Sequence, residues 1–194
     1  MLKVIQINLN HCEAAQDILS QRVREEGADV VLISEPYKHL DRGVWAADKT
    51  GGASIWLTGR QAFQEISTQV EGFVRARING IHFYSCYARP SWTDIEFQTL
   101  LDRIVADARE RDRVIIGGDF NAWAVEWGSR RTNARRRLLL ESFALLNVDL
   151  VNTGEENTFR KAGYGSIIDI TWASSALLRK IKWSVSEEYT HSDH

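Results

Sequence analysis

Helical and strand-like segments alternate at both ends of this chain, and a block of strand-like segments lies between them. At the start, a strand is followed by a helix that ends at Gly27 and then by a short buried strand, which makes a β-α-β opening. In the middle, Asn79-Gly80 separates two strand-like runs and is the strongest short signal for a hairpin. The helices are predicted over residues 17–26, 93–111 and 134–146, and the strands over residues 2–8, 30–33, 53–57, 63–68, 73–78, 81–87, 113–117, 149–151, 167–173 and 182–187. This order predicts an α/β sandwich of two packed sheets with helices outside, and an open doubly wound sheet is the alternative.

The length and composition of the chain indicate a single domain over residues 1–194. A chain of 194 residues with 44% hydrophobic content is long enough to bury one sizeable core and too short to need a second. With 26% charged residues, 2 prolines and no repetitive tract, an extended disordered region is not expected. The formal net charge of -2 disfavours a protein that coats nucleic acid with its whole surface, so any DNA contact is expected from a local patch.

The cysteines and the hydropathy pattern bear on the compartment. Cys12 and Cys86 have no partner at the spacing of a zinc site or a redox pair, which is typical of free thiols in a reducing compartment. Lys3, Glu13 and Asp17 interrupt the opening segment, so it lacks the apolar run of a secretory signal, and no later stretch is long enough to cross a bilayer. We therefore expect a soluble intracellular protein without a membrane partner.

Polar side chains follow four of the predicted strands, and a fifth polar cluster closes the chain. The clusters are Asn8 with Asn10, Glu35, Asp119 with Asn121, Asp169, and Ser192-Asp193-His194. Each has an ordinary structural explanation when taken singly, as a solvated or capping residue, an Asx turn or a polar tail. Taken together, hard oxygen donors from separate strands favour a Mg²⁺ site, with Mn²⁺ as a possible substitute.

Six short motifs that include these residues occur in order from the first strand to the end of the chain. They are Gln6-Ile7-Asn8-Leu9-Asn10, Ser34-Glu35-Pro36-Tyr37, Tyr87-Ala88-Arg89-Pro90, Gly118-Asp119-Phe120-Asn121-Ala122, Ser166-Ile167-Ile168-Asp169-Ile170-Thr171 and Ser192-Asp193-His194. Together they resemble the endonuclease/exonuclease/phosphatase superfamily, and within it the apurinic-endonuclease-like domain of non-LTR retrotransposons. The segment Trp127-Gly128-Ser129-Arg130-Arg131 extends the match to those retrotransposon domains.

The resemblance implies a fold and a metal site. The fold is a DNase I-like α/β structure, a four-layer sandwich of two mostly antiparallel β-sheets flanked by helices. Glu35 is expected to be the main magnesium ligand, with Asn8 beside it. Asp193 is expected to touch the metal, and Asn10 to lie in the charge network around the metal or near the substrate.

The resemblance also implies catalytic roles. His194 is expected to donate a hydrogen bond to the scissile phosphate, with Asp169 orienting its imidazole as the acid of a triad does. Asp119 is expected to align or deprotonate the attacking water, Asn121 to position that water or a phosphate oxygen, and Tyr87 to hydrogen-bond the phosphate. The residues expected near the substrate are Thr158, Ser166 and Ser192.

A basic segment after the Asp119 motif is the main candidate for DNA contact. Residues 129–137 contain five arginines, among them Arg130 and Arg131, and a solvated helix start is the competing explanation. The residues that come under weaker suspicion are Trp123, Trp127, Arg89, Trp92 and Lys161, because tryptophan usually packs but wedges or stacks against bases when exposed. Arg75 and Arg77 alternate along a predicted strand and are expected on a solvent face.

The function implied by the resemblance is a magnesium-dependent endonuclease that nicks double-stranded DNA and leaves a 3' hydroxyl to prime reverse transcription. A domain of this kind acts in the nucleus, uses no small-molecule cofactor and is the N-terminal part of a longer protein with a covalently linked reverse transcriptase. Members of the family usually continue past the final histidine into a closing strand. Two alternatives are an apurinic/apyrimidinic repair endonuclease and a catalytically silent DNA-binding module.

Overall fold

The computed structural model describes residues 2–40, 43–127 and 132–194, except the side chain of Glu126. The helices are α1 (Glu13–Glu26), α2 (Asp94–Ala108), α3 (Ala134–Phe143) and α4 (Ser175–Leu178), with a 3-10 turn at Val125–Trp127. The strands are β1 (Val4–Asn8), β2 (Val30–Ser34), β3 (Val44–Ala47), β4 (Ala53–Leu57), β5 (Glu65–Ile66), β6 (Phe73–Ile78), β7 (Ile81–Tyr87), β8 (Val114–Asp119), β9 (Val148–Leu150), β10 (Phe159–Lys161), β11 (Tyr164–Ser166) and β12 (Asp169–Ser174).

Two mixed sheets and one short hairpin account for these strands. The smaller sheet has the order β1-β2-β4-β3, and the larger has the order β5-β6-β7-β8-β12-β9. Neighbours are antiparallel except for two parallel pairs, β1 with β2 and β7 with β8. The third element is the antiparallel pair β10-β11. The parallel pairs matter for function because each brings two strand carboxyl ends to the same edge of its sheet.

The sheets and helices form four layers with three apolar interfaces. Between α1 and the smaller sheet lie Ala15, Leu19, Val23, Val31, Ile33 and Trp56, together with their neighbours. Between the sheets lie Val30, Leu32, Ile55, Leu57, Val74, Ala76, Ile78 and Phe83. Helices α2 and α3 cover the outer face of the larger sheet. Strand β2 is buried along its whole length because its alternate residues face α1 on one side and the other sheet on the other.

Local sequence explains where the helices begin and end. Gly27 has a φ of 62° and closes α1 in the left-handed conformation that glycine adopts without a steric penalty. Thr93 and Glu96 form a complete capping box at the start of α2. The side chain of Asn133 accepts a hydrogen bond from the Arg136 N–H and begins α3.

Most of the predicted elements are present, but two predicted strands need correction, and three strands and the short helix α4 were not predicted. The predicted strand at residues 63–68 is reduced to β5. The sequence pattern missed β3, which is four residues long and half alanine, a residue depleted in strands. It also missed β10 and β11, which are three residues each. Residues 182–186 alternate between exposed and partly buried, but residues 182–187 pair with no strand in the described part of the chain, so that predicted strand is wrong.

Arg75 is also a correction, because it does not lie on a solvent face. Its side chain is buried, and its Nε and Nη2 donate to Asp107 and Glu65, each at 2.7 Å. The Tyr84 hydroxyl donates to the same oxygen of Asp107 at 2.6 Å. Alternation along β6 therefore places Arg75 under α2, where an acidic residue of the helix compensates its charge. Arg77 is exposed, as expected.

None of the helices in residues 2–40, 43–127 and 132–194 is long and apolar enough to span a membrane.

Candidate active site

Strand ends from both sheets meet at one edge of the sandwich. In the smaller sheet Asn8 at the end of β1 lies opposite Ser34 at the end of β2, and Glu35 follows directly. In the larger sheet Tyr87 at the end of β7 lies opposite Asp119 at the end of β8. The topology thus collects at one place side chains that are far apart in the sequence.

The amide of Asn8 joins the two sheets. Its Nδ2 donates to Glu35 Oε2 at 3.0 Å and to Asp119 Oδ2 at 2.9 Å. Its Oδ1 accepts from the Asn10 N–H at 2.7 Å. The Tyr87 hydroxyl donates to Glu35 Oε1 at 2.6 Å. Asn8 is therefore oriented as a donor to both carboxylates, and binding a metal through its oxygen would require the amide to turn.

The last residue of the chain forms a dyad with Asp169. His194 Nδ1 donates to Asp169 Oδ2 at 2.7 Å, and the two side chains are 7% and 10% exposed. Thr158 Oγ1 accepts from the backbone N–H groups of Ile168 and Asp169, each at 3.1 Å, and fixes the start of β12. Because Asp169 engages Nδ1, the imidazole has Nε2 left for a substrate.

Burial and mutual charge shift the titration of these groups. Burial first, and then the charge of Asp169, raise the pKa of Asp119 to about 7. Burial by itself lowers the pKa of His194, but Asp169 and the other nearby carboxylates outweigh burial, so the pKa of His194 is raised. Burial and the hydrogen bond to Glu35 raise the pKa of Tyr87. One site thus contains a carboxyl group, an imidazole and a phenol whose pKa values are all raised, and shifted pKa values of this kind are common in catalytic centres.

The donor set fits a hard divalent cation. Ligand atoms of Asp119, Asp169 and His194 lie within 4.8 Å of one another. Asp169 Oδ1 is buried and has no hydrogen-bond partner among the described residues, as expected of an oxygen that can bind a cation. Glu35 offers a further carboxylate, whose side chain is 18% exposed and which shares the Asn8 amide nitrogen with Asp119. Carboxylate oxygens from separate strands suit Mg²⁺ or Mn²⁺.

Three residues of the site have left-handed backbone conformations. Asn10, Glu35 and Asn121 have φ values of 49°, 48° and 47°. Glutamate rarely adopts this conformation, and asparagine tolerates it better. Strain of this kind persists only where the surrounding structure holds it, and it is concentrated at functional sites.

The residues predicted near the substrate contribute to this architecture in different ways. Ser192 Oγ donates to the Asn8 carbonyl at 2.7 Å and accepts from the His194 N–H at 3.2 Å. Ser166 ends β11, and its carbonyl accepts from the Thr158 N–H at 3.1 Å. The Asp193 carboxylate, which the resemblance assigns to the metal, pairs with Lys161 Nζ at 2.8 Å.

The predicted DNA contacts divide into exposed and buried residues. Trp127 is 3% exposed and its Nε1 donates to the Ala122 carbonyl, so it packs in the core and is not free to contact DNA. Trp123 is 41% exposed. Arg89 pairs with Glu71 at 3.5 Å, and Trp92 packs against the core beneath α2. Arg130 and Arg131 lie outside the described residues.

Arg135 supports the site, a role that the sequence did not reveal. It was one of the five arginines considered for DNA contact, but it is buried. Its guanidinium donates to the carbonyls of Arg89, Pro90 and Trp92 at 2.9, 3.3 and 2.8 Å, and to that of Phe120 at 3.5 Å. One side chain thus joins the loop after Tyr87 to the loop after Asp119. Nothing in an arginine-rich run distinguishes such a residue from its exposed neighbours.

Asn133 is a second supporting residue that was missed. Its Nδ2 donates to the Asn121 carbonyl at 3.0 Å, and its Oδ1 accepts from the Trp123 N–H at 3.0 Å. The same side chain caps α3. An asparagine directly before a predicted helix signals a cap, and it was the only available hint of this second contact.

The family comparison gives one clear match. Residues 81–194 match the model of a family described as endonuclease-reverse transcriptase. No curated protein matches the chain.

Solved structures match the whole fold. The endonuclease domain of TRAS1, a telomere-specific non-LTR retrotransposon, is similar at a TM-score of 0.82 and 24% identity, over 100% of this chain and 95% of that one. The 3'-5' exonuclease NExo from Neisseria meningitidis is similar at a TM-score of 0.73 and 13% identity, over 93% and 90%. The 3' phosphatase NExo from Neisseria, bound to a product DNA hairpin, is similar at a TM-score of 0.72 and 14% identity, over 92% of this chain and 89% of that one. These likenesses establish the DNase I-like α/β fold.

Proposed function

Because the chain belongs to the endonuclease-reverse transcriptase family, we propose that it is a magnesium-dependent endonuclease that nicks double-stranded DNA and leaves a 3' hydroxyl. One observation carries the proposal. The Asn8 amide holds the carboxylates of Glu35 and Asp119 beside each other, and Asp169, which pairs with His194, lies opposite Asp119 across the strand pair. A module that only binds DNA has no physical need for this buried, mutually repelling set of acids.

Asp119 is assigned to the attacking water. Its carboxylate is buried and accepts from Asn8 Nδ2 and from the Asn121 N–H at 2.9 Å, so its orientation does not depend on the substrate. With a pKa raised to about 7, Asp119 takes up and releases a proton near neutral pH, as a general base for water requires. Asn121, whose Nδ2 donates to the Ala88 carbonyl at 3.0 Å, is assigned to the same water or to a phosphate oxygen.

His194 is assigned to the phosphate. In-line attack on a phosphodiester increases negative charge on the oxygens of phosphorus, and a fixed protonated imidazole stabilises that charge. Asp169 keeps the ring oriented and favours its protonated form, so Nε2–H is the donor that meets the phosphate. Tyr87, whose hydroxyl donates to Glu35, is assigned to the same phosphate.

Glu35 is the proposed magnesium ligand, and Mn²⁺ is a possible substitute. A bound divalent cation would neutralise charge on the phosphate and on the departing 3' oxygen. The bonds from Asn8 and Tyr87 keep both carboxylate oxygens of Glu35 directed into the site.

The biological setting that we propose is retrotransposition. The domain at residues 1–194 would precede a covalently linked reverse transcriptase, act in the nucleus, and supply the 3' hydroxyl that primes DNA synthesis. Of the possible DNA contacts, Trp123 and Arg89 are exposed close to the site, on the loop that carries Asn121 and on the loop that follows Tyr87.

A plasmid-nicking experiment tests the proposed function. Supercoiled plasmid is incubated with the protein in Mg²⁺, in EDTA, and with Asp119→Asn, and an abasic oligonucleotide duplex is run in parallel. We expect open circles with the wild-type protein in Mg²⁺ and intact plasmid in the other two reactions. Cleavage confined to the abasic duplex would instead establish a repair endonuclease. DNA binding without any cleavage, also when the chain is extended beyond His194, would establish a silent module.

A further inference from the structure

The hairpin β10-β11 contacts both members of the dyad. Thr158, just before β10, holds the backbone of Asp169 through its hydroxyl. The next residue, Phe159, has its ring 4.9 Å from the ring of His194. A short and mostly exposed element is thus built into the wall of the catalytic centre.

The following two residues of β10 bind the end of the chain. The Arg160 N–H donates to the Asp193 carbonyl at 2.7 Å, and Lys161 Nζ donates to the Asp193 carboxylate at 2.8 Å. Four consecutive residues, 158–161, therefore contact Asp169, Asp193 or His194. Tyr164, which pairs with Lys161 beside the turn of the hairpin, is 79% exposed and faces solvent.

We propose that Asp193 is a positioning residue: its ion pair with Lys161 is a latch that ties His194 to the β10-β11 hairpin. The inference rests on the proposed nuclease function. His194 follows Asp193 directly, so the position of the Asp193 backbone helps to set where the imidazole meets Asp169. Strand β10 binds both the carbonyl and the carboxylate of Asp193. Duplex DNA that displaced the hairpin would therefore also displace His194 through this latch.

The geometry favours this role for Asp193 over metal binding. The Asp193 carboxylate is 31% exposed and pairs with a lysine, whereas the clustered ligand atoms belong to Asp119, Asp169 and His194. A pair with a lysine that is 63% exposed adds little to global stability. Its loss is therefore expected to appear in the rate of the chemical step and not in the unfolding temperature.

A charge-swap series in the full chain tests the latch. The variants are Lys161→Glu, Asp193→Lys and the double variant, with Lys182→Glu as the matched control because Lys182 is an exposed lysine in the same terminal region. We expect each single variant to lower kcat for plasmid nicking about tenfold, since a small misplacement of His194 suffices. The double variant should recover most of kcat, and the Mg²⁺ concentration for half-maximal rate should not move. Any loss of DNA affinity from removing Lys161 would raise KM and would remain in the double variant.

Two results would overturn the latch while leaving the nuclease intact. In the first, Asp193→Lys and the double variant are slowed equally and need more Mg²⁺ for half-maximal rate, which would make Asp193 a metal ligand. In the second, all variants nick like the wild type. If the wild-type protein does not nick DNA, the proposed function fails, and NMR of the metal-free protein with labelled histidine still decides the latch. His194 ring signals that shift in Lys161→Glu and return in the double variant support it, and signals that stay in place overturn it.

Discussion

At the scale of single residues, the site combines features that are unfavourable for folding. Asp119 is buried beside another acid, Asp169 Oδ1 is buried without a hydrogen-bond partner among the described residues, and Glu35 has a strained backbone. Each feature costs free energy in the metal-free protein. The motifs in the sequence indicated these residues, and the resemblance implied that Asp169 orients His194 and that Asn8 lies beside Glu35. The donor orientation of Asn8 and the pairing of Asp193 with Lys161 depend on contacts between segments more than 30 positions apart or at the chain end.

The role of His194 predicts a large loss of activity with little loss of stability. Replacing it in His194→Ala removes the phosphate donor, and the expected fall in kcat is about 10²- to 10⁴-fold. The unfolding temperature should fall by only about a few degrees, because the contacts of the imidazole among the described residues are a hydrogen bond to Asp169 and a ring contact with Phe159. His191→Ala is the matched control, since His191 lies in the same tail and, among the described residues, contacts the ring and hydroxyl of the exposed Tyr189. Nicking kinetics measure kcat, and thermal unfolding measures the unfolding temperature. An equal loss of kcat in both variants would mean that activity depends on the tail as a whole and not on the imidazole of His194.

The charges around Asp119 predict the titration of the metal-free site. The raised pKa of Asp119, about 7, means that its carboxyl group is protonated below neutral pH and charged above it. Because the charge of His194 lowers the pKa of Asp119, His194→Ala should move the Asp119 midpoint upward. Carboxyl NMR in EDTA measures the midpoint, and the exposed Asp102 serves as the reference. A downward shift in the variant would contradict the assigned charges.

The titrations of Asp119 and His194 also predict the direction in which the cleavage rate changes with pH. Cleavage should increase as pH rises and Asp119 loses its proton, and decrease at higher pH where His194 loses its own, because its raised pKa extends the protonated form above the ordinary range. A bound cation moves the rising limb to lower pH. The pH profile of kcat/KM at several Mg²⁺ concentrations measures this, and a flat profile would remove both groups from the mechanism.

At the scale of secondary structure, the pattern of the sequence predicted helices and long strands well and short strands poorly. Strands β7 and β8 are long apolar runs with clear ends. Strand β3 and the hairpin β10-β11 are too short for alternation to reveal them. Residues 182–187 show the opposite failure, because alternation is present there but no strand in the described part of the chain is available to pair.

Gly118 offers a test of how closely β7 and β8 approach beneath the site. Its φ is 155°, and a Cβ at this position would overlap the backbone of Cys86 on β7. Gly118→Ala should therefore cost about 3 kcal/mol of unfolding free energy, because neither backbone is free to move. The control is Gly163→Ala, where φ is 82° but nothing lies within 4 Å, with an expected cost of about 1 kcal/mol. Denaturant unfolding measures both, and equal costs would mean that the two strands separate easily.

At the scale of the whole molecule, the function depends on how the two sheets are held against each other. Apolar packing alone does not fix how the two sheets are aligned with each other. Polar contacts between the sheets fix this alignment close to the site. Ser34 Oγ donates to the Cys86 carbonyl at 3.0 Å, and Thr171 Oγ1 donates to Gln6 Oε1 at 2.8 Å. The two-sheet architecture followed from the order of elements along the chain. These cross-sheet contacts did not, since serine, threonine and glutamine carry no signal of the partner that they will meet.

The assembled site predicts that metal stabilises the whole fold. Both sheets contribute acids to one place, so a cation that binds there binds only the folded chain and stabilises it in proportion to its concentration. At about one hundred times the dissociation constant the gain is about 2.7 kcal/mol. We expect the unfolding temperature to rise with Mg²⁺ and to return in EDTA. Glu35→Gln should lose most of the rise, because it removes the proposed ligand but keeps an amide that can accept from Asn8.

Glu71→Gln is the matched control for Glu35→Gln, since Glu71 is a half-exposed glutamate on the loop before β6 and pairs with Arg89. The unfolding temperature of Glu71→Gln should rise with Mg²⁺ as much as that of the wild type. A full rise in Glu35→Gln would mean that the cation is held by Asp119, Asp169 and His194 alone. In that case the Asn8 amide would keep Glu35 out of the metal site, and Glu35 would act on the substrate through its bond with Tyr87.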